Sequence, residues 1–181
     1  DHALKIWENL SQELNYNVMF SQRGVMNLAH NLHDVRELKR RTHANRLNGI
    51  DCEWLNVEQV KKFCPIINCS PNIRYPVMGS TLQRRAGTAR HDAVAWGYAR
   101  GADSMGVDII QNCEVKGIKR NGNSIEGIET TKGFIKTQKV GVVAAGHSSV
   151  IANMAGIRLP LESKPLQALV SEPIKPIIDT V

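Results

Sequence analysis

The sequence predicts a mixed α/β fold, and three features of the chain indicate it. Apolar residues near the N-terminus recur at three- and four-residue intervals, which is typical of an amphipathic helix. Residues 115–137 alternate short β-forming runs with glycine-containing turns, which predicts a three-stranded antiparallel meander. An apolar run at 140–145 then leads through Gly146 into a second helical stretch. Helices combined with strands and a strand-to-helix turn are expected of an α/β protein.

The first half of the chain contributes mostly helices. Residues 2–14 carry four apolar side chains, from Leu4 to Leu14, on one helical face. Residues 17–29 are rich in β formers and predict a strand pair or a bulged strand. The charged stretch 34–46 predicts an exposed surface helix that ends near Gly49.

A short helix over 57–63 follows, because Asn56 is a favourable N-cap and Pro65 cannot continue a helix. The next segment, 65–87, contains three prolines and no clear period, so we expect a loop with one strand near residues 75–82. A long loop in a compact domain is usually functional or disordered.

Residues 91–105 predict a helix whose broad apolar face includes Val94, Tyr98 and Met105. Gly106 is a plausible C-cap, and the apolar run 107–111 then predicts a short buried strand. Helix, glycine and apolar strand together predict an α/β crossover unit.

The meander and the apolar run after it are the most specific structural pattern. Asn121-Gly122 is a favoured hairpin turn between two strands, and Gly133 begins the third strand. Residues 140–145 are apolar on both faces, as in a central strand covered on two sides. A meander followed by a buried strand and Ala-Ala-Gly is typical of FAD-binding oxidoreductases. A Gly-x-Gly-x-x-Gly fingerprint does not occur in the sequence.

Composition limits the classes of partner. The net charge of +6 arises mainly from basic groups at 39–46, 61–62 and 84–90, which solvated helix faces explain. Aromatic residues make up 5% and are not interleaved with these groups, which argues against nucleic-acid binding. The four cysteines lack CxxC spacing, so we expect no zinc site and no other metal. No apolar run approaches 20 residues, so we expect no membrane span.

Two histidines are candidates for chemistry. His91 stands at a helix start behind a loop with Arg84, Arg85 and Arg90, where it could cap the helix, act as a base, bind a metal or attack an electrophilic cofactor. A hydrogen-bonded surface histidine is the plainer alternative.

His147 follows Gly146 at the strand-to-helix turn, where backbone can approach a phosphate or ribose. A plain connection between a strand and a helix is the alternative there.

The sequence resembles one family, the β subunits of heterotetrameric sarcosine oxidase, within the glycine oxidase and D-amino-acid oxidase group. The resemblance extends over essentially the whole chain. The matching stretches are 20–41, 45–68, 73–96, 106–115, 145–156 and 165–173.

The resemblance implies an enzyme that oxidises the methyl group of sarcosine at FAD and passes electrons to FMN, where oxygen is reduced to hydrogen peroxide. It implies that FMN is attached covalently through His91, with Arg84, Arg85 and Arg90 near its phosphate or ring. It also places Val115, Ala145, Gly146 and His147 beside FAD. Tetrahydrofolate would bind a partner subunit, and the partners would be the α, γ and δ subunits, in the cytoplasm.

The expected architecture is a partial FAD-binding Rossmann-like domain with a meander, plus part of a mixed-sheet substrate domain. We expect residues 1–82 in the substrate domain, 83–160 in the FAD-binding domain and 161–181 returning to the substrate domain. Because the family's glycine fingerprint precedes the matched region, we expect a central fragment that is inactive alone. A dehydrogenase of N-methylated glycines and a docking module that uses its basic helix 34–47 are the alternatives.

Overall fold

The computed structural model describes residues 2–170 and 172–181 and has the mixed α/β fold that the sequence predicts. Its described helices are α1 (His2–Glu13), α2 (Leu32–Leu47), α3 (Val57–Phe63), α4 (His91–Ser104) and α5 (Ser148–Met154). Its described strands are β1 (Val25–Ala29), β2 (Glu53–Leu55), β3 (Gly79–Gln83), β4 (Val115–Asn121), β5 (Ser124–Thr130) and β6 (Gly133–Lys136). No described helix is both long and apolar enough to cross a membrane.

The chain divides into two compact units. Unit 1 comprises Asp1–Val107 and Pro173–Val181, and unit 2 comprises Asp108–Glu172. Unit 1 therefore contains α4 together with the first three strands, and unit 2 contains the meander and α5. The units separate after Val107, whereas the predicted domain boundaries were placed after residues 82 and 160. The assignment of 83–160 to an FAD-binding domain stays a prediction.

Unit 1 is organised around a three-stranded antiparallel sheet in the order β1-β3-β2. β3 lies in the middle, with Asn27 opposite Thr81 on one side and Trp54 opposite Thr81 on the other. The core beside this sheet consists of Leu55, Val60, Val77 and Leu82, each of which is buried. β3 is buried along most of its length because it has a neighbour on each edge and α3 over one face.

The α3 helix begins where the sequence predicts. The Asn56 side chain accepts a hydrogen bond from the Gln59 N–H at 2.9 Å, and the Gln59 side chain accepts one from the Asn56 N–H at 2.8 Å. This reciprocal capping box satisfies two N–H groups that the first helical turn leaves without partners. It anchors α3 and so places Val60, which is fully buried, in the core.

Replacement of the cap residue, Asn56→Ala, is expected to lower the free energy of unfolding by about 1 kcal/mol. The Gln59 N–H would lose its acceptor, and the reciprocal bond would lose its geometric support. Urea unfolding of the purified protein measures the change, with Gln12→Ala on the exposed side of α1 as the control. An equal effect of the two substitutions would contradict the role of the cap.

The α4 helix packs through glycine rather than through the predicted apolar face. Gly97 is its buried residue, and a Cβ there would lie 3.2 Å from side-chain atoms of both Leu14 and Tyr16. Gly101, one turn later, would meet Leu14 at the same distance. Tyr98, which we placed on the buried face, is exposed. The pattern of large apolar side chains does not indicate this face, because glycines form it.

Unit 2 contains the predicted meander, with β4, β5 and β6 paired antiparallel in chain order. Asn121 pairs with Ser124, so the two turn residues are Gly122 and Asn123, one position later than predicted. Gly127 lies where β6 approaches closely, and a Cβ there would overlap the Phe134 ring. The three-stranded meander itself is confirmed.

Two predicted strands are wrong. Residues 107–111 and 140–145 form no strand, and their apolar side chains are exposed or half-buried, with Val143 99% exposed. An apolar run forms a buried strand only when a neighbouring strand pairs with its backbone N–H and C=O groups. No segment among residues 2–170 and 172–181 supplies such a partner. The predicted α/β crossover after α4 is consequently also wrong.

Within the segment 17–29, which the sequence predicts as a strand pair or a bulged strand, only β1 (Val25–Ala29) is a strand. Before that strand, Ser21 makes an isolated bridge with Thr88. At the opposite end of the chain, the N–H of Val181 donates to the Gly24 carbonyl at 3.1 Å, and its own carbonyl accepts from the Met26 N–H at 2.6 Å. The last residues therefore lie against the start of β1.

Candidate functional site

The loop of residues 84–90, which leads into His91, is held along its length by residues 21–24. Backbone hydrogen bonds join Ser21 and Thr88 in both directions, at 2.8 and 3.0 Å, and the Gly24 N–H donates to the Ala86 carbonyl at 2.8 Å. At Gly87 a Cβ would overlap the Ser21 carbonyl oxygen, so only glycine permits this approach. The loop is therefore an ordered support for the start of α4.

Side chains reinforce this attachment. The Arg85 guanidinium donates to both carboxylate oxygens of Glu8 on α1, at 2.7 and 2.9 Å. Gln22 donates from its amide nitrogen to Glu8 at 2.8 Å and to the Arg85 carbonyl at 2.6 Å. Hydrogen bonding from Arg85, and then from Gln22, lowers the pKa of Glu8. The bidentate pair ties the 84–90 loop to α1.

The lowered pKa of Glu8 makes this attachment depend on pH. A carboxyl whose pKa is lower in the folded state adds stability above its unfolded pKa and loses it as pH falls through the folded pKa. We expect Glu8→Gln to destabilise the protein at about pH 6 and to have a smaller effect at about pH 3. Urea unfolding at both pH values measures this. Glu13→Gln, also on α1, is the control, and an equal difference at both pH values would contradict the expectation.

Each of the three predicted arginines is engaged with a carboxylate. Arg84 pairs with Glu53 at 2.6 Å, Arg85 with Glu8, and Arg90 with Asp92 at 2.9 Å. Arg84 also lies over the Phe63 ring, 5.6 Å from its centroid. The structure thus directs the three guanidinium groups to three different acids. An incoming phosphate would have to compete with these acids for them.

His91 is the first residue of α4 and its side chain is exposed. The residues on either side of it are fixed: Asp92 accepts from the Arg90 guanidinium and from the Ala93 N–H at 2.8 Å. Partial desolvation opposes ionisation of Asp92, but the Ala93 and Arg90 hydrogen bonds outweigh it and lower the pKa. His91 therefore offers a solvent-accessible imidazole on a constrained helix start, an arrangement that suits covalent attachment of a ligand.

Beside this helix start lies a cleft of about 280 Å³ that the sequence analysis missed. Its lining residues are Tyr16, Met19, Arg90, Asp92, Ala93 and Trp96. Trp96 is 65% exposed on one wall. Part of this cleft could have been predicted from the sequence. Trp96 follows Ala93 by three residues and Asp92 by four, and residues at these spacings share one helical face. Tyr16 and Met19 come from a separate segment and could not have been found this way.

In unit 2 the predicted residues Ala145, Gly146 and His147 form a single 3-10 turn that leads into α5. Ala145 has a left-handed backbone, with φ of 45°, and the Gly146 carbonyl accepts from the Ser163 hydroxyl at 2.8 Å. All three residues are exposed. The turn is therefore accessible to a ligand, and its backbone is held from one side by Ser163.

Val115, the remaining predicted residue, begins β4 and is half-buried. An accessible turn beside a glycine fits one edge of a dinucleotide, where the backbone must approach the ligand. Contact of FAD with Val115 and with the 145–147 turn stays a prediction. A larger solvent-open concavity of about 740 Å³ lies on the meander, between Lys119 and Gln138, and none of the predicted residues line it.

Comparisons with known sequences identify the family. Residues 1–180 match the family model described as FAD dependent oxidoreductase. The chain is 59% identical over 181 residues to sarcosine oxidase subunit beta of Arthrobacter sp, covering all of this chain and 45% of that protein. It is 52% identical over 181 residues to the same subunit of Rhodobacter capsulatus, covering all of this chain and 44% of that protein. The predicted resemblance is confirmed, and the chain spans less than half the length of these relatives.

Solved structures agree on the fold. L-proline dehydrogenase from P. horikoshii matches 86% of this chain and 40% of its own, with a TM-score of 0.76 and 26% identity. Glycine oxidase from Geobacillus kaustophilus matches 87% of this chain and 42% of its own, with a TM-score of 0.72 and 18% identity. Since the family model accounts for the chain from residue 1 to residue 180, the protein belongs to the FAD dependent oxidoreductases.

Proposed function

We propose that the full-length protein is the β subunit of a sarcosine oxidase, which converts sarcosine to glycine. The identity of 59% over all 181 residues to a sarcosine oxidase β subunit carries this proposal. Two further β subunits are 52% and 55% identical over nearly the whole chain. Membership of the FAD dependent oxidoreductases is consistent with amine oxidation by a flavin.

The proposal gives the two units different roles toward flavins. Bound FAD would supply the acceptor for a hydride equivalent from the amine substrate, and bound FMN would supply a route for the electrons to oxygen, with hydrogen peroxide as the product. In unit 2, Val115, Ala145, Gly146 and His147 would contact FAD. The exposure of Ala145, Gly146 and His147 supports that assignment.

In unit 1, His91 would carry FMN covalently. Support comes from its exposed imidazole and from the hydrogen bonds that fix the 84–90 loop and Asp92. Arg90 is the arginine nearest in sequence, and its pairing with Asp92 holds it at the helix start. Arg84 and Arg85 would stabilise an anionic phosphate or reduced ring only by sharing their present carboxylate partners.

The assembly around this subunit is part of the proposal. Relatives named as subunit beta imply further subunits, and we propose α, γ and δ chains, with tetrahydrofolate bound to one of these partners. We propose the cytoplasm as the location. We also expect the 181 residues by themselves not to oxidise sarcosine, since they span 45% of the Arthrobacter relative.

A dehydrogenase that passes electrons to a carrier is the second candidate. Human mitochondrial sarcosine dehydrogenase is 26% identical over 173 residues, which cover 93% of this chain and 18% of that protein. The lower identity makes this the weaker reading. The two candidates differ in their flavins: we expect two flavins, one of them resistant to acid precipitation, for the oxidase and one releasable flavin for the dehydrogenase.

Mass spectrometry of the full-length protein, expressed with its partner subunits, tests the flavin attachment. Trypsin cleaves after Arg90 and Arg100 and releases the peptide of residues 91–100, or that of 86–100 if attached flavin blocks the first cleavage. We expect this peptide to carry an added mass equal to FMN less two hydrogen atoms, one replaced on the flavin and one on the imidazole. The added mass should disappear in His91→Ala and persist in His147→Ala.

The outcomes separate the candidates. An unmodified His91 peptide in a protein that still contains acid-releasable flavin would exclude covalent attachment at His91 and favour the dehydrogenase. A purified full-length complex that contains no flavin would exclude both enzymes, and a docking module would be the remaining candidate function. Consumption of oxygen in the presence of sarcosine, matched by formation of hydrogen peroxide, would separately test the acceptor.

A further inference from the structure

The cleft beside the start of α4 has an aromatic wall that is open to a ligand. Trp96 is 65% exposed, and its indole contacts neither another ring nor a cation within residues 2–170 and 172–181. The helix packs through Gly97 on a different face, so this packing does not cover the indole. A large aromatic face at the edge of a cleft can contact an apolar or a cationic group of a bound molecule.

Another side of the cleft comes from the segment that follows α1. Tyr16 packs against α4, where a Cβ at Gly97 would lie 3.2 Å from Cδ1 of the Tyr16 ring. The Arg100 guanidinium lies over that ring, 5.6 Å from its centroid. Met19 is 51% exposed and has a left-handed backbone, with φ of 53°, which is unfavourable for a residue with a side chain. A second ring and a polarisable thioether therefore line the cleft together with Trp96.

The charged groups around the cleft are Arg90, Asp92 and, over Tyr16, Arg100. Arg90 donates to Asp92 through Nε alone, at 2.9 and 3.2 Å to the two carboxylate oxygens. Its two Nη groups have no partner in the part of the chain that the structure describes. Two cations beside one carboxylate disfavour a ligand that is only a cation. They suit a ligand that carries a carboxylate together with a positive charge.

A methylated ammonium group matches an aromatic wall better than a primary ammonium group does. Its charge is spread over methyl groups and is weakly hydrated, so contact with an indole face gains cation–π attraction at a small desolvation cost. A carboxylate on the same molecule can accept hydrogen bonds from the free Nη groups of Arg90. Both groups occur together in N-methylated amino acids, and the cleft of about 280 Å³ has room for one.

We propose that this cleft binds a zwitterionic N-methylated amino acid. Its methylated ammonium group lies against Trp96, and its carboxylate accepts from the Nη groups of Arg90. Asp92 precedes Trp96 by four residues and so shares its helical face, where the Asp92 carboxylate adds a negative charge on the ammonium side. Asp92 keeps its pairing with Arg90 Nε. The proposal does not depend on flavin attachment at His91, which does not line the cleft.

Equilibrium dialysis of isotope-labelled trimethylglycine against the full-length protein in its complex tests the site. We expect Trp96→Ala to weaken one site per β subunit by about tenfold or more, and Trp96→Phe to retain most of its affinity because an aromatic face remains. Met105→Ala removes a side chain that is 80% exposed at the other end of α4 and should leave binding unchanged. Identical binding by Trp96→Ala and the unaltered complex, or no binding to either, would overturn the proposal.

Two analogues test the two halves of the recognition. In tert-butylacetate a carbon atom replaces the charged nitrogen of trimethylglycine without changing the shape, and tetramethylammonium lacks the carboxylate. Each should displace trimethylglycine from the Trp96-dependent site at least about tenfold less effectively, because the first loses the cation–π contact and the second meets the excess of positive charge. Displacement by either analogue as effective as by trimethylglycine itself would contradict recognition of a zwitterion.

Discussion

The substitution Leu82→Ala is expected to lower the free energy of unfolding by about 3–5 kcal/mol. Leu82 is fully buried at the centre of the unit 1 core, where it packs with Leu55, Val60 and Val77. Removal of its isobutyl group loses the transfer free energy of the apolar atoms and leaves a cavity, because β3 is held on both edges and cannot move inward.

Urea unfolding of the purified protein measures the loss. Leu47→Ala, at a leucine that is 89% exposed at the end of α2, is the matched control and should change the free energy of unfolding by less than about 0.5 kcal/mol. Leu82→Met should recover most of the stability, because it nearly conserves volume. A small effect of Leu82→Ala would mean that the core is not centred on β3.

The substitution Gly87→Ala is expected to cost about 2–4 kcal/mol and to displace the 84–90 loop. The added methyl group would overlap the Ser21 carbonyl oxygen and lie 2.8 Å from the Gln22 Cα. Both neighbours are backbone, so relief requires the chains to separate and the two Ser21–Thr88 hydrogen bonds to break. Since α4 begins at His91, any ligand attachment there should weaken in parallel.

Gly141→Ala is the matched control, because neither glycine has a left-handed backbone and a Cβ at Gly141 would meet no atom within 4 Å. Its expected effect is below about 0.5 kcal/mol. Urea unfolding gives the stability, and mass spectrometry of the His91 peptide gives the extent of attachment. Similar stability of the two variants would show that the 21–24 and 84–90 segments are not in close contact.

Local sequence patterns predicted the elements whose stability is local. The cap of α3 follows from Asn56 and Gln59, which are three residues apart, and the β4–β5 hairpin follows from a single glycine turn. Both depend on interactions between residues that are close in the sequence, and such interactions have recognisable sequence patterns. The amphipathic α1 helix was predicted for the same reason, and its Leu10 is buried.

Non-local packing explains what the sequence did not predict. Gly97 forms the buried face of α4 because Leu14 and Tyr16 occupy the space beside it, and nothing near Gly97 in the sequence indicates that. The carboxylate partners of Arg84 and Arg85 are likewise distant in sequence. Apolar residues at 140–145 predicted burial, but a strand also needs paired neighbours, which composition does not reveal.

The attachment between residues 21–24 and the 84–90 loop has a consequence for the order of events during biosynthesis. Gln22 and Arg85 are 63 positions apart, so their contact closes a long loop. The entropy cost of closing that loop is offset only when the contacts of the surrounding sheet form. His91 therefore acquires its fixed setting late, once tertiary structure has formed. Covalent modification at this histidine would then be a maturation step that discriminates folded from unfolded chains.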